Sequence, residues 1–82
     1  AGAHEFIMAL ANGYDTYVTE KENMRVTQQI FESTSQKYDQ GVASKLDLIN
    51  ASNDLISAQS TYVQAVLTLV NAQVELEKFL NL

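Results

Sequence analysis

The sequence predicts an all-α fold, a long antiparallel helical hairpin of coiled-coil type, and three observations carry that reading. The 82-residue chain contains no Pro and only three Gly, so little in it interrupts a helix. Its second half repeats apolar residues at alternating steps of three and four for more than four heptads. Between the two halves, Gly41 and Ser44 stand where a helix stop and a helix start belong.

The first element is expected over residues 9–40. Residues 1–8, Ala-Gly-Ala-His-Glu-Phe-Ile-Met, lack the basic start and apolar run of a signal peptide. They read as a vector remnant, with the native segment starting around Ala9. Leu10, Tyr17, Met24, Phe31 and Tyr38 follow one another seven residues apart. Tyr14, Lys21, Gln28 and Ser35 are the expected seam positions between them, and Val18, Val26 and Ile30 add apolar area. Asn12-Gly13 marks a weak point where this helix starts or frays. Lys21 and Arg25 are like charges one turn apart, so a carboxylate such as Glu22 or Glu32 is expected beside them.

A tight corner, residues 41–44, follows. Gly41 can take the left-handed conformation that closes a helix, with Val42 placed to pack back behind it. Ser44 reads as the N-cap of the next helix, and Asp47, three residues on, completes a capping box. Ala43 and Leu48 occupy the positions of a hydrophobic staple. A connection this short makes the helices antiparallel neighbours.

The second helix is expected over 45–80. Leu48, Ala51, Leu55, Ala58, Tyr62, Ala65, Leu69, Ala72, Leu76 and Phe79 form its seam, with large residues alternating with Ala. Alanine at every second position lets a neighbouring backbone come close, and the large residues of the first arm are expected to face these alanines. Ile49, Ile56, Val63 and Val70 form a parallel row on the adjoining flank, which one partner helix does not cover. At about 1.5 Å per residue the arms are roughly 40 to 55 Å long.

Composition excludes several functions. A formal charge of −5 and a pI near 4.5 argue against nucleic acid as a partner. Without Cys, and with His4 the only His, there is no disulfide framework, no thiol nucleophile and no Ser-His-Asp set. No cofactor loop, metal-ligand spacing or enzyme constellation emerges. The carboxylate pairs Glu20/Glu22 and Glu75/Glu77 point to different sides of a helix and read as solvated. Tyr14, Tyr17, Phe31, Tyr38 and Tyr62 lie at heptad spacing and read as core rather than as a ligand cage. Leu55–Val74 has no charge, yet eight of its twenty residues are Ser, Thr, Asn or Gln, too polar for a membrane span.

The stretch Tyr38-Asp39-Gln40-Gly41-Val42-Ala43-Ser44-Lys45-Leu46-Asp47-Leu48-Ile49-Asn50-Ala51 resembles the final helix-turn-helix of the TolC-like outer-membrane efflux protein family. The family pattern is Tyr-x-x-Gly, then Leu-Asp and a hydrophobic pair, then a Leu/Ala ladder. Here the ladder runs on through Asn53-Asp54-Leu55, Ala58-Gln59, Tyr62, Ala65 and Leu76-Glu77. The resemblance covers about Leu10 to Leu80.

It implies a fragment from the periplasmic end of an outer-membrane trimer of a Gram-negative bacterium, part of a helical barrel that lines an export conduit. It implies a periplasmic adaptor protein of a tripartite pump as partner, docked at Gly41, Val42, Ala43 and Ser44. Turn and cap geometry accounts for Gly41 and Ser44 equally well, whereas Val42 and Ala43 have the weaker local reason. Asp47 matches a position where the family places pore-narrowing carboxylates, and capping explains it as well. Asn50 stands at a second pore-lining position where some members carry a carboxylate, and Asn81 departs from a frequent family Gly. Gln59, Gln64, Thr68 and Asn71 suit places between helices or along a water-filled duct. The alternatives are a self-associating structural coiled-coil hairpin with no transport role, and the adaptor's own hairpin, whose docking Arg has no counterpart near this turn.

Overall fold

The computed structural model describes residues 2–81. Helix α1 spans Ala3–Asp39 and helix α2 spans Lys45–Leu80, with no strand among the described residues. The helices run antiparallel, and the molecule measures 61 × 15 × 13 Å. The all-α hairpin expected from the sequence is the fold. No helix among the described residues is long and apolar enough to cross a membrane.

Helix α1 differs from expectation at its start. It takes in residues 3–8, ahead of the expected beginning at Ala9, and it ends at Asp39 rather than residue 40. Nothing in residues 3–8 breaks a helix, and the Phe6 ring meets Phe79 with centroids 5.0 Å apart. That contact closes the open end of the hairpin and holds the first turns against α2.

Nor does Asn12-Gly13 start or fray the helix. Gly13 is buried in the middle of it, and a β-carbon placed there would lie 3.5 Å from Leu69 Cα and 3.6 Å from Leu69 Cδ1. Those are ordinary contact distances. Gly13→Ala is therefore expected to stabilise the hairpin by about 1 kcal/mol through helix propensity. In a chain of this size that raises the unfolding midpoint by roughly 4–8 °C. Melting followed by circular dichroism checks it, and a lowered midpoint would show that the two backbones are too close for a methyl group.

The register of α1 also differs from expectation. Its inward residues are Phe6, Leu10, Gly13, Tyr17, Glu20, Met24, Thr27, Phe31 and Thr34, in steps of three and four. Leu10, Tyr17, Met24 and Phe31 stand where expected, but Tyr14, Lys21 and Gln28 are exposed. Gly13, Glu20, Thr27 and Thr34 take the intervening places, Ser35 is half-buried beside them, and Tyr38 at the far end is 39% exposed. The reason is volume. Stepping by heptads from the Gly13–Leu69 contact sets Gly13, Thr27 and Thr34 level with Leu69, Leu55 and Leu48. The same steps set Tyr17 level with Ala65 and Phe31 level with Ala51. Large meets small in these layers, whereas the Tyr14 row would set large against large.

Threonine fits this seam because its hydroxyl is satisfied at home. Thr27 Oγ1 donates to the Asn23 carbonyl at 2.7 Å, and Thr34 Oγ1 donates to the Ile30 carbonyl at 2.8 Å. Among the described residues no buried side-chain polar atom lacks a partner. The core is thin all the same. Ala51 is 6% exposed and Ala65 is 4% exposed, and no large side chain among the described residues is fully buried. Two helices can cover only one face of each other.

Candidate functional site at the tip and along the second helix

The tip is built by two helix ends that satisfy each other's backbone. At the end of α1, the Gly41 N–H donates to the Tyr38 carbonyl at 3.0 Å and the Val42 N–H donates to the Lys37 carbonyl at 2.8 Å. That pair of bonds is the Schellman motif, and it needs the left-handed Gly41, whose φ is +77°. The Ala43 N–H adds a 3.1 Å bond to the same Lys37 carbonyl. At the start of α2, the Asp47 N–H donates to Ser44 Oγ at 3.0 Å, and the Ser44 N–H donates to Asp47 Oδ2 at 3.0 Å. The capping box is complete, so Gly41 and Ser44 have full structural employment.

Val42 does not. The expected packing back onto α1 is not made, and the side chain is 72% exposed. Ala43 is half-buried beneath it. Leu46, on the first turn of α2, is 64% exposed and gives the tip a second bare apolar side chain. Sequence reading passed over Leu46. The signal was its position, since it is a large apolar residue off the seam.

Helix α2 has two unlike sides beyond its seam. Asp47, Asn50, Asp54, Ser57, Thr61, Gln64, Thr68 and Asn71 follow at steps of three and four, and all are exposed. This polar stripe begins at the tip and contains both expected pore-lining residues. The flank on the other side of the seam holds Ile49, Ile56, Val63 and Val70, with Leu67 and Val74 beside them, all exposed. An apolar groove at the open end, lined by Leu10, Tyr14, Leu69, Leu76 and Leu80, lies on this flank's side of the hairpin. Of the polar residues expected between helices or along a duct, Gln64, Thr68 and Asn71 fall on the stripe, whereas Gln59 falls in the apolar flank.

The charged groups are few and mostly solvated. Asp47 is held below the usual carboxylate range by the hydrogen bonds from the Ser44 backbone and side chain. Arg25 reaches Glu22 with both arms of its guanidinium, Nε lying 2.9 Å from Oε2, as expected for a partner to that charge. The Arg25 hydrogen bond lowers the Glu22 carboxyl. Lys21 instead sits 5.8 Å from the Tyr17 ring centroid. Tyr17 and Tyr62 pack at 5.7 Å inside the seam, and the hydrogen bond with Tyr17 pushes the Tyr62 phenol up. Tyr14 leans on Tyr17 from outside the seam, so the aromatic set is part core and part surface.

Among the described residues no group of His, Asp or Glu is placed to hold a metal. The features of this chain are thus an apolar-tipped turn, a polar stripe and an uncovered apolar flank on one long stave. Neither a curated protein nor a solved structure matches the chain. The model of the outer membrane efflux protein family matches it over residues 7–82, nearly its whole length, and that family is one of transport channels rather than enzymes. On that match, the hairpin belongs to the outer membrane efflux protein family.

Proposed function

We propose that this hairpin is the periplasmic tip segment of an outer-membrane efflux channel, lining the conduit and docking a periplasmic adaptor protein of a tripartite pump. The observation that carries the reading is the tip. Val42 is 72% exposed and Leu46 is 64% exposed, on a turn whose backbone is already satisfied, in a chain of the efflux family. Exposed apolar side chains with no local packing role suit a contact made in an assembly. Gly41 and Ser44 shape the turn, and Val42 and Ala43 meet the adaptor.

In a ring of staves the polar stripe of α2 faces the duct and its apolar flank meets the next hairpin of the trimeric barrel. Asp47 and Asn50 then line the mouth, with Asp47 committing one carboxylate oxygen to the cap and presenting the other to permeating ions. The family match favours this reading over a structural hairpin with no transport role.

The test places a photoactivatable amino acid at Val42 of the full-length protein in cells that make the pump. A covalent adduct with the adaptor is expected from Val42 and not from Thr61, midway along the stripe. Adaptor adducts absent at Val42 would remove the docking assignment.

A further inference from the structure

We infer that the 82-residue chain by itself pairs with a second copy through the apolar flank of α2, antiparallel, with the two tips at opposite ends. This concerns the chain outside any ring and stands independently of the transport reading. The first argument is area. A compact monomer of 9.1 kDa exposes about 4,900 Å², whereas this one exposes 5891 Å². The excess, about 1,000 Å², exceeds the roughly 800 Å² that each partner buries in a standard stable interface. A second copy is the occupant that every solution of this chain supplies.

The second argument is the charge pattern, which selects the orientation. Between Leu46 and Val74 the flank of α2 carries no charged residue, while Lys45 stands at its tip end and Glu77 at its open end. Both are exposed. Their rows step by three and four into one seam, and antiparallel seams stack one row on the other. Setting Lys45 of one copy level with Glu77 of the second brings Ile56 level with Val66 and Val63 level with Gln59. Two-fold symmetry then forms the Lys45–Glu77 pair twice. A parallel pairing would set Lys45 against Lys45 and Glu77 against Glu77. On the matching flank of α1, Lys21 lies level with the two-fold axis and would meet its own copy, which confines the contact to α2.

Sedimentation equilibrium and spin labelling of the purified chain test this. The expected result is a dimer, and labels on a Val42→Cys variant separated by nearly the 61 Å length of the molecule. Ile56→Glu, at a residue 60% exposed in the single hairpin, is expected to weaken dimerisation by at least about tenfold. Lys45→Glu or Glu77→Lys alone is expected to weaken it several-fold, and the two together to restore it. These charge variants alter exposed positions and keep the test alive if Ile56→Glu loses helicity. A monomer at all concentrations, a dimer with adjacent tip labels, or no recovery in the double charge exchange would each overturn the inference.

Discussion

Val42→Asp in the full-length channel is expected to abolish efflux while leaving the trimer assembled, and Ala43→Asp is expected to do the same. The hairpin itself does not need the Val42 side chain. Val42 is 72% exposed, and the bonds that form the turn come from its backbone N–H and those of Gly41 and Ala43. A carboxylate at the tip therefore costs the isolated fold little. In a docked complex the same carboxylate would be buried against the adaptor without a partner, a loss of about 2–5 kcal/mol, or roughly 30-fold to several thousand-fold in affinity. Growth in the presence of a pump substrate reads the transport, and native electrophoresis reads the trimer. If transport survives both substitutions, the adaptor does not bind here.

The second large effect belongs to the seam. Ala65→Leu is expected to destabilise the hairpin by about 1–3 kcal/mol, a large part of what so thin a core supplies. Ala65 is 4% exposed and level with Tyr17, whose ring already packs on Tyr62. The added carbons have no space unless the helices separate, and separation uncovers the layers on both sides. Thermal melting followed by circular dichroism measures it, with Ser57→Leu on the exposed polar stripe as the control. An unchanged midpoint would mean that the alanine row does not set the distance between the arms.

Much of this was legible in residue order because the relevant interactions are local. The left-handed Gly41 and the capping box of Ser44 and Asp47 are set by residues three to five apart and stand as read, whereas the packing of Val42 back onto α1 does not. The α2 seam was legible too, since alternating leucine and alanine admits one phase. The α1 seam was not. Its large row was clear, but Tyr14 and Gly13 are rival occupants of the next position, and hydrophobicity favours the wrong one. Only the bulk of Leu69 across the interface selects Gly13. The tip was half legible. Val42 was named, yet its freedom from α1 and the neighbouring Leu46 appear only once the chain turns.

Helix content, the place of the bend and the antiparallel direction follow from the absence of Pro, from one left-handed Gly and from a four-residue connection. Each of these is settled within a few neighbours along the chain. Which face of α1 turns inward, and which side chains remain bare at the tip and along the α2 flank, depended on fitting two helices together. Volume can be filled only once in each layer, and whatever does not fit there is left for another surface to cover.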